Sequence, residues 1–310
     1  MLDPAPLPPL PKRDPKGHKG TFGTVVVIGG CAVRERHMVG APALAARAAL
    51  RSGVGLARLV MPERVLDAGI TLCPSATGVP LPVDDSGAII PHEAARVLDE
   101  QLQACNALVV GPGLGSGQGP QVLALRAAQQ EEVPVVLDAD ALNALAATPE
   151  LARDFRAAAI LTPHPGEFRT LAGSLGITLD PVNPATRPEA AAVLAQRLGC
   201  IVALKGSGTV VSDGQRTWQN DTGGPELATG GTGDVLAGLI AGLVAQFVAF
   251  GLLPRQPKPA NRPLDLYDAT RLAVRAHGLA GERWASRHGA KAGLMAMELA
   301  DEVPGVLASM

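Results

Sequence analysis

An apolar stretch that ends in a glycine-rich or polar turn recurs along the chain. The stretches with this pattern are TVVVIGG (24–30), GLARLVMP (55–62), ALVVGPGLG (107–115), VPVVLDADALNAL (133–145), AAILTPHPGEF (158–168) and CIVALKGSGTVV (200–211). Alanine-rich, helix-like segments lie between these stretches. Alternating strands and helices predict an α/β fold with a mostly parallel central sheet and helices on both faces. In such sheets, ligands bind where the strands end at their carboxyl side.

Composition indicates that the partner is a small molecule. The 310 residues include 18% charged and 3% aromatic residues, and the formal net charge is -2. Such a balance disfavours nucleic-acid and membrane-surface binding, and few aromatic side chains are available to stack on bases. The four cysteines are far apart with no CxxC pair, which predicts reduced, buried thiols.

The chain is expected to form one domain at residues 20–310, preceded by a proline-rich arm at 1–19. The arm has no apolar run of signal-peptide length, so a cytoplasmic location is expected. Its prolines favour an extended conformation, and both disorder and packing on a neighbouring subunit remain open. Residues 173–188 and 252–263 are interpreted as surface excursions.

One segment is long and apolar enough to suggest a membrane span. Val235 to Leu253 is interrupted only by Gln246, and Gly238 and Gly242 have the spacing of a membrane-helix dimer motif. A helix that is apolar on all sides also fits the core of a large domain. Because no other segment has this length, we expect a buried helix and no membrane association.

Three glycines precede this segment, in ATGGTGD (228–234). Gly231 and Gly233, with Gly230, let a phosphate approach the backbone, and the helix that follows directs free N–H groups at the same place. Asp234 lies in the first turn, where it either caps the helix or carries out chemistry. Because Thr232 could supply the cap, Asp234 is predicted to be catalytic.

Two other strand ends are rich in glycine. Lys205, Gly206, Ser207, Gly208 and Thr209 form a loop suited to nucleotide phosphates or ribose, although the spacing is not that of a Walker A loop. Lys205 on its own could be solvated. VVGPGLG (109–115) lacks the spacing of a dinucleotide fingerprint, so a plain turn is the alternative.

Polar side chains follow two further strands. Asp138 and Asp140, with Asn143 nearby, could hold magnesium through water or bind a ligand hydroxyl. His164 stands between two prolines, where it is either structural or a ligand contact, and Glu167 starts a predicted helix.

Taken in order, these motifs resemble the ADP- or ATP-dependent NAD(P)H-hydrate dehydratase family, which has the ribokinase-like fold. The resemblance covers nearly the whole chain. It implies repair of the hydrated cofactors NADHX and NADPHX in their S form, with release of AMP or ADP and phosphate. It also implies magnesium held through the nucleotide phosphates, a homo-oligomer and, since the fused epimerase domain is not seen, an epimerase that is a separate protein.

The resemblance assigns roles to individual residues. It places the nucleotide at Lys205 to Thr209 with Gly233, and the hydrate at Ala41, at a glycine among Gly113 to Gly115, and at His164 and Asp234. Gly231 and Thr232 are expected to hold phosphoryl charge, and Asp138 and Asn143 to contact the hydrate. The chain departs from the family pattern in TGGPELA (222–228) and CAVRERHMVG (31–40), both near the expected ligands.

Two other functions fit the same residues. A vitamin or sugar kinase of this fold would use Asp234 and the glycine turn in the same way but release a lasting phosphate ester. A nucleotide-binding protein without catalysis is suggested by the altered GGPELA step. The dehydratase is preferred because phosphorylation turns hydroxide, a poor leaving group, into phosphate.

Overall fold

The computed structural model describes residues 2–250 and 263–310. The strands are β1 (Thr24–Ile28), β2 (Cys31–Val33), β3 (Arg36–Met38), β4 (Leu56–Pro62), β5 (Thr77–Leu81), β6 (Ala107–Val110), β7 (Val135–Leu137), β8 (Ala159–Leu161), β9 (Ile201–Leu204), β10 (Val210–Ser212) and β11 (Thr217–Gln219). The helices are α1 (Gly40–Arg51), α2 (Glu63–Leu72), α3 (Pro91–Leu102), α4 (Gln118–Gln129), α5 (Asp140–Ala146), α6 (Leu151–Asp154), α7 (Pro165–Ser174), α8 (Arg187–Leu198), α9 (Thr232–Phe247), α10 (Leu266–His288) and α11 (Ala296–Leu307).

Nine of the strands in the described residues form one sheet, in the order β11-β10-β9-β8-β7-β6-β1-β4-β5. Pairing is parallel from β9 to β5, and β10 and β11 add an antiparallel edge. The carboxyl ends of β6 to β9 therefore lie side by side at one edge of the sheet. The predicted mostly parallel sheet is confirmed.

Side chains alternate across the strands and build a core on each face of the sheet. Val25 and Val27 of β1 face one core, which also contains residues of α1, α9, α10 and α11. Val26 and Ile28 face the other core, with residues of α3, α4, α5, α7 and α8. The strands are buried on both sides, which explains their continuous apolar runs.

The apolar segment after the glycine turn is a core helix, as expected. Nearly every side chain of α9 is buried, and no helix among the described residues is long and apolar enough to cross a membrane. A Cβ at Gly238 would lie 2.0 Å from the carbonyl oxygen of Ala45, and one at Gly242 would lie 2.0 Å from Ser52 Oγ. The two glycines therefore let α9 pack closely on α1 of the same chain.

The N-terminal arm packs on its own chain. The Asp3 amide donates to the Thr217 carbonyl at the edge of the sheet, and Leu7 and Leu10 pack against the core. Arg13 Nη1 donates to Gln246 Oε1 at 2.9 Å, which gives the one polar residue of the apolar segment a partner. The sequence left disorder and packing on a neighbouring subunit open, whereas in the structure the arm packs on its own chain.

Most of the predicted surface and thiol features agree with the structure. All four cysteines are buried and free. Residues 176–186 form a largely exposed connection before α8. Most of the second excursion, residues 252–262, lies outside the described residues.

Candidate active site

Three adjacent parallel strands deliver polar side chains to the same edge of the sheet. Asp138 follows β7, Thr162 follows β8 and Lys205 follows β9, one residue beyond the end of each strand. Adjacent strands lie roughly 5 Å apart, so side chains at matching ends can contact one another. The strand register thus brings together residues that are far apart in the sequence.

Lys205 lies inside this cluster. Its Nζ donates to Asp138 Oδ1 at 2.7 Å and lies 3.8 Å from Glu167 Oε2, while Thr162 Oγ1 donates to Asp138 at 2.7 Å. Only 18% of the Lys205 side chain is exposed, so the solvated alternative is wrong. Burial acts to lower the pKa of Lys205, but Asp138 and Glu167 outweigh it and raise that pKa. The lysine is therefore charged at neutral pH.

The backbone between Asp138 and Asp140 adopts a rare conformation. Ala139 has φ of 51°, and a Cβ at Gly111 would lie 1.8 Å from the Asp138 carbonyl oxygen. A positive φ at alanine costs of the order of 1 kcal/mol and persists where the surroundings enforce it. Here it separates two carboxylates that both serve the site.

The glycine turn leads into α9 without a side-chain cap. Gly231 has φ of 94° and occupies the N-cap position. Thr232, which was expected to supply the cap, instead donates its hydroxyl to the carbonyls of Leu227 and Thr229. The N-cap position falls on Gly231, so Thr232 is already the first residue of the helix. The Thr232 amide donates to the Thr229 carbonyl at 3.4 Å, and the amides of Gly231 and Gly233 are left available to an anion.

Asp234, in the first turn of α9, is not a cap either. Its carboxylate accepts no hydrogen bond from any residue in the described ranges. Burial, the carboxylate of Asp138 and, more weakly, those of Glu167 and Asp140 raise its pKa to about 7, against an opposing effect of Lys205. A partly buried carboxylate with this pKa accepts or releases a proton near neutral pH, which suits a general base.

The glycine turn and the Lys205 loop meet. A Cβ at Gly233 would lie 3.4 Å from Lys205 Nζ, so the lysine ammonium borders the open end of α9. Gly206 and Gly208 have φ of 144° and 65°, which keeps the loop backbone free of side chains. Ser207 is exposed at its tip, and the Thr209 hydroxyl donates to the Gly206 carbonyl.

A buried arginine supports this loop. Arg187 donates to the carbonyls of Leu204 and Pro181 at 2.7 and 2.6 Å, and a Cβ at Gly206 would lie 2.8 Å from its Nη2. Its only partners in the described residues are carbonyl oxygens, and burial lowers its pKa. The sequence did not reveal this residue, because its partner Leu204 lies seventeen positions away.

A helix behind the glycine turn also contributes a residue that the sequence did not reveal. His277 of α10 has its Nε2 2.8 Å from the Thr232 carbonyl oxygen. A carbonyl only accepts, so Nε2 carries the proton. Burial lowers the pKa of His277 to about 4, and the ring is therefore neutral. This contact anchors the first turn of α9.

The expected hydrate contacts lie on the opposite side of the carboxylate cluster. A Cβ at Gly113 would lie 3.3 Å from Ala41 Cβ, and the Gly115 amide donates to Asp140 Oδ2 at 2.8 Å. The structure thus brings Ala41, Gly113 and Gly115 together beside Asp140. Asn143 is exposed on α5, and its side chain bonds to none of the described residues.

His164 has a structural role. Its Nδ1 accepts from the amides of Gly166 and Glu167 at 2.9 and 3.3 Å and so caps α7, while Glu167 accepts from the His164 amide. The imidazole is 56% exposed, which leaves room for a ligand contact as well. Glu167 itself is buried, and that burial raises its pKa.

The two segments that depart from the family pattern have distinct structures. Residues 31–38 form a β-hairpin whose strands β2 and β3 lie against Gly113 and Gly115. In the other segment, the Gly223 amide donates to Glu282 Oε1 and Thr222 Oγ1 lies 3.3 Å from the Arg275 carbonyl oxygen, both on α10. This second segment is therefore held firmly behind the glycine turn.

Comparisons with known proteins agree with this geometry. Residues 25–305 match the family model described as NAD(P)H-hydrate dehydratase. A bifunctional NAD(P)H-hydrate repair enzyme of Salinibacter ruber is 38% identical over 303 residues, which are 96% of this chain and 50% of that protein. The chain thus spans about half the length of that relative. An ADP-dependent (S)-NAD(P)H-hydrate dehydratase of Xanthomonas campestris is 35% identical over 301 residues, 96% of this chain and 92% of that protein.

A solved structure has the same architecture. The ADP/ATP-dependent NAD(P)H-hydrate dehydratase of Bacillus subtilis, co-crystallised with ATP and Mg²⁺, aligns with a TM-score of 0.74 and 29% identity. The alignment covers 97% of this chain and 94% of that one. The ribokinase-like fold is confirmed, and the chain belongs to the NAD(P)H-hydrate dehydratase family.

Proposed function

We propose that the chain dehydrates the S form of NADHX and NADPHX to NADH and NADPH, using ADP or ATP and releasing AMP or ADP with phosphate. The observation that carries this proposal is the position of Asp234. An unbonded carboxylate with a pKa of about 7 lies between a glycine turn suited to phosphate and a lysine loop suited to a nucleotide.

The reaction follows from what each residue offers. Asp234 accepts the proton of the substrate hydroxyl as that oxygen attacks the terminal phosphorus of the nucleotide. The amides of Gly231 and Gly233 stabilise the charge on the transferred phosphoryl group, and the Lys205 ammonium holds the nucleotide beside them. The ring nitrogen's lone pair then expels phosphate, and a proton leaves the neighbouring carbon. The net change in the hydrate is the loss of water.

Magnesium fits this site as a companion of the nucleotide. Within the described residues there is no group of three metal-ligating side chains. Magnesium commonly needs only one or two carboxylates beside substrate phosphates. Asp140, which forms no ion pair with any described residue, is the carboxylate that would hold it. When bound, the ion neutralises charge on the terminal phosphates.

The decisive measurement is recovery of NADH absorbance from NADHX with ADP and with ATP in turn. We expect recovery with at least one nucleotide and an equal yield of phosphate. A folded protein that binds adenine nucleotide but gives no recovery with either would refute the dehydratase. A lasting phosphate ester of a vitamin or sugar, detected by mass spectrometry, would identify a kinase instead.

The wider setting is part of the same proposal. We propose a cytoplasmic homo-oligomer that acts together with an epimerase, which converts the R form of the hydrate to the S form. Light scattering on the purified protein would test the oligomer. Complete conversion of a mixed R and S hydrate only after addition of an epimerase would test the partnership.

A further inference from the structure

The β-hairpin at residues 31–38 forms one wall of a cleft that the proposed reaction does not use. The cleft has a volume of about 540 Å³ and lies between the hairpin, residues 84–92 and the start of α4. Its lining includes Cys31, Val33, Ile89, Leu114, Ser116 and Gln118. We call it the hairpin cleft.

The hairpin cleft adjoins the catalytic centre. Leu114 and Ser116 line it, and Gly115 lies between them with its amide on Asp140. A Cβ at Gly115 would lie 2.9 Å from the sulfur of Cys31, which also lines the cleft. The Gly113–Gly115 turn therefore separates the cleft from the carboxylates around Asp234.

The order of the strands decides which reactant reaches this cleft. The nucleotide loop follows β9, whereas the Gly113–Gly115 turn follows β6 and the hairpin follows β1. β8 and β7 separate β9 from β6. If the ring of the hydrate lies at Asp234, extension of its remaining part toward β6 and β1 leads it away from the nucleotide. That part carries a pyrophosphate and, in NADPHX, a 2′-phosphate.

The register of the hairpin places one cation on the cleft side. Cys31 pairs with Met38 and Val33 pairs with Arg36, and directly opposed residues share a face of the hairpin. Cys31 and Met38 both face the Gly113–Gly115 turn. Arg36 is thus on the same face of the hairpin as Cys31 and Val33, which line the cleft, and it lies at the rim rather than in the lining. Its exposed side chain forms no ion pair or hydrogen bond with the described residues.

The charges around Arg36 leave it available. Asp84 is the one carboxylate among the lining residues, and its Oδ1 accepts from the Ser86 amide, the Ser86 hydroxyl and the Ala88 amide. That acid is therefore turned into its own loop. Glu35 lies in the turn at the hairpin tip, whereas Arg36 begins β3 opposite the lining residue Val33.

We infer that Arg36 binds a phosphate of the hydrated dinucleotide as its adenosine part lies in the hairpin cleft. This inference rests on the proposed function for the identity of the ligand. The phosphate is either the pyrophosphate, which both substrates carry, or the 2′-phosphate of NADPHX. Arginine forms paired hydrogen bonds to either group.

The test is a fluorescence titration of NADH and of NADPH, the proposed products, which needs no turnover. Arg36→Gln should weaken binding about 10-fold or more, the scale for losing a hydrogen bond to a charged group. Arg34→Gln is the matched control, because it removes the same charge at the hairpin tip. Circular dichroism checks that each variant folds.

Each outcome decides the question. Weaker binding of both dinucleotides by Arg36→Gln alone assigns the pyrophosphate, and weaker binding of NADPH alone assigns the 2′-phosphate. Equal effects of the two variants, unchanged binding, or no binding by the parent protein would overturn the inference. Failure of the parent to convert NADHX would refute the proposed dehydratase separately, since the titrations do not depend on it.

Discussion

Asp138 and Asp234 share one site but have opposite surroundings. Asp138, at the end of β7, accepts from both Lys205 and Thr162 at 2.7 Å. Asp234, in the first turn of α9, accepts from none of the described residues, and its pKa is raised to about 7. The comparison separates two uses of a buried carboxylate. One holds a cation in place, and the other is left unbonded and can take a proton.

The largest expected effect concerns the unbonded carboxylate. Asp234→Asn keeps the size of the side chain but removes the base, so kcat should fall about 10²- to 10⁴-fold. Adenine-nucleotide binding should change little. The measurement is recovery of NADH from NADHX at saturating nucleotide, with calorimetry for nucleotide binding. A variant that retained most of its turnover would mean that Asp234 is structural.

Removing the cation that is bonded to Asp138 should lower the stability of the protein. Lys205→Ala leaves Asp138 and Glu167 without their cation, and breaking a buried ion pair costs about 3 to 5 kcal/mol. We expect urea unfolding at pH 7.5 to show a loss of that size, together with a higher KM for the nucleotide. Lys291→Ala, at an exposed position, is the control and should change neither. An equally small change in both variants would show that the ion pair does not anchor the site.

The same contrast predicts how stability depends on pH. The native state keeps a proton on Asp234 up to pH 7, whereas the unfolded chain loses it near pH 3.8. Between these values the native state binds more protons, so the free energy of unfolding falls as pH rises from about 4 to about 7. The fall is at most about 4 kcal/mol, because one pKa unit corresponds to about 1.36 kcal/mol.

Asp234→Asn should remove this part of the slope and unfold at a higher temperature than the parent at pH 8. Asp301→Asn is the matched control. Despite partial burial, hydrogen bonds from Arg47 and Arg51 lower the pKa of Asp301, so its proton is already lost above pH 5. Between pH 5 and 8, the stability of the Asp301→Asn variant should therefore change with pH as steeply as that of the parent. Thermal unfolding of the three proteins across this range is the measurement, and parallel curves would contradict the prediction.

The contrast between the two carboxylates was only partly readable from the sequence. The apolar strands and the turns after them are local patterns, so the sheet, α9 and the position of Asp234 could all be predicted. The bond from Lys205 to Asp138 joins residues 67 positions apart, and no local pattern reports it. The hairpin at 31–38 was missed for another reason. Two strands of three residues are too short to show alternation.

The smallest expected effect concerns His164, which caps α7 beside Glu167 of the same cluster. His164→Ala removes the acceptor for two amides and should cost about 1 kcal/mol of stability. His164→Asn supplies another good cap, so it should restore the stability without restoring the imidazole.

If the ring also contacts the hydrate, as the family resemblance implies, the asparagine variant will be stable but have a raised KM for NADHX. We expect the raised KM, because Nδ1 is already bonded in the cap while 56% of the imidazole is exposed and free to contact the hydrate. Thermal unfolding and NADHX kinetics on both variants are the measurement. A parental KM in the asparagine variant would confine His164 to capping and leave the hydrate contacts to the Ala41 and Gly113–Gly115 side of the site.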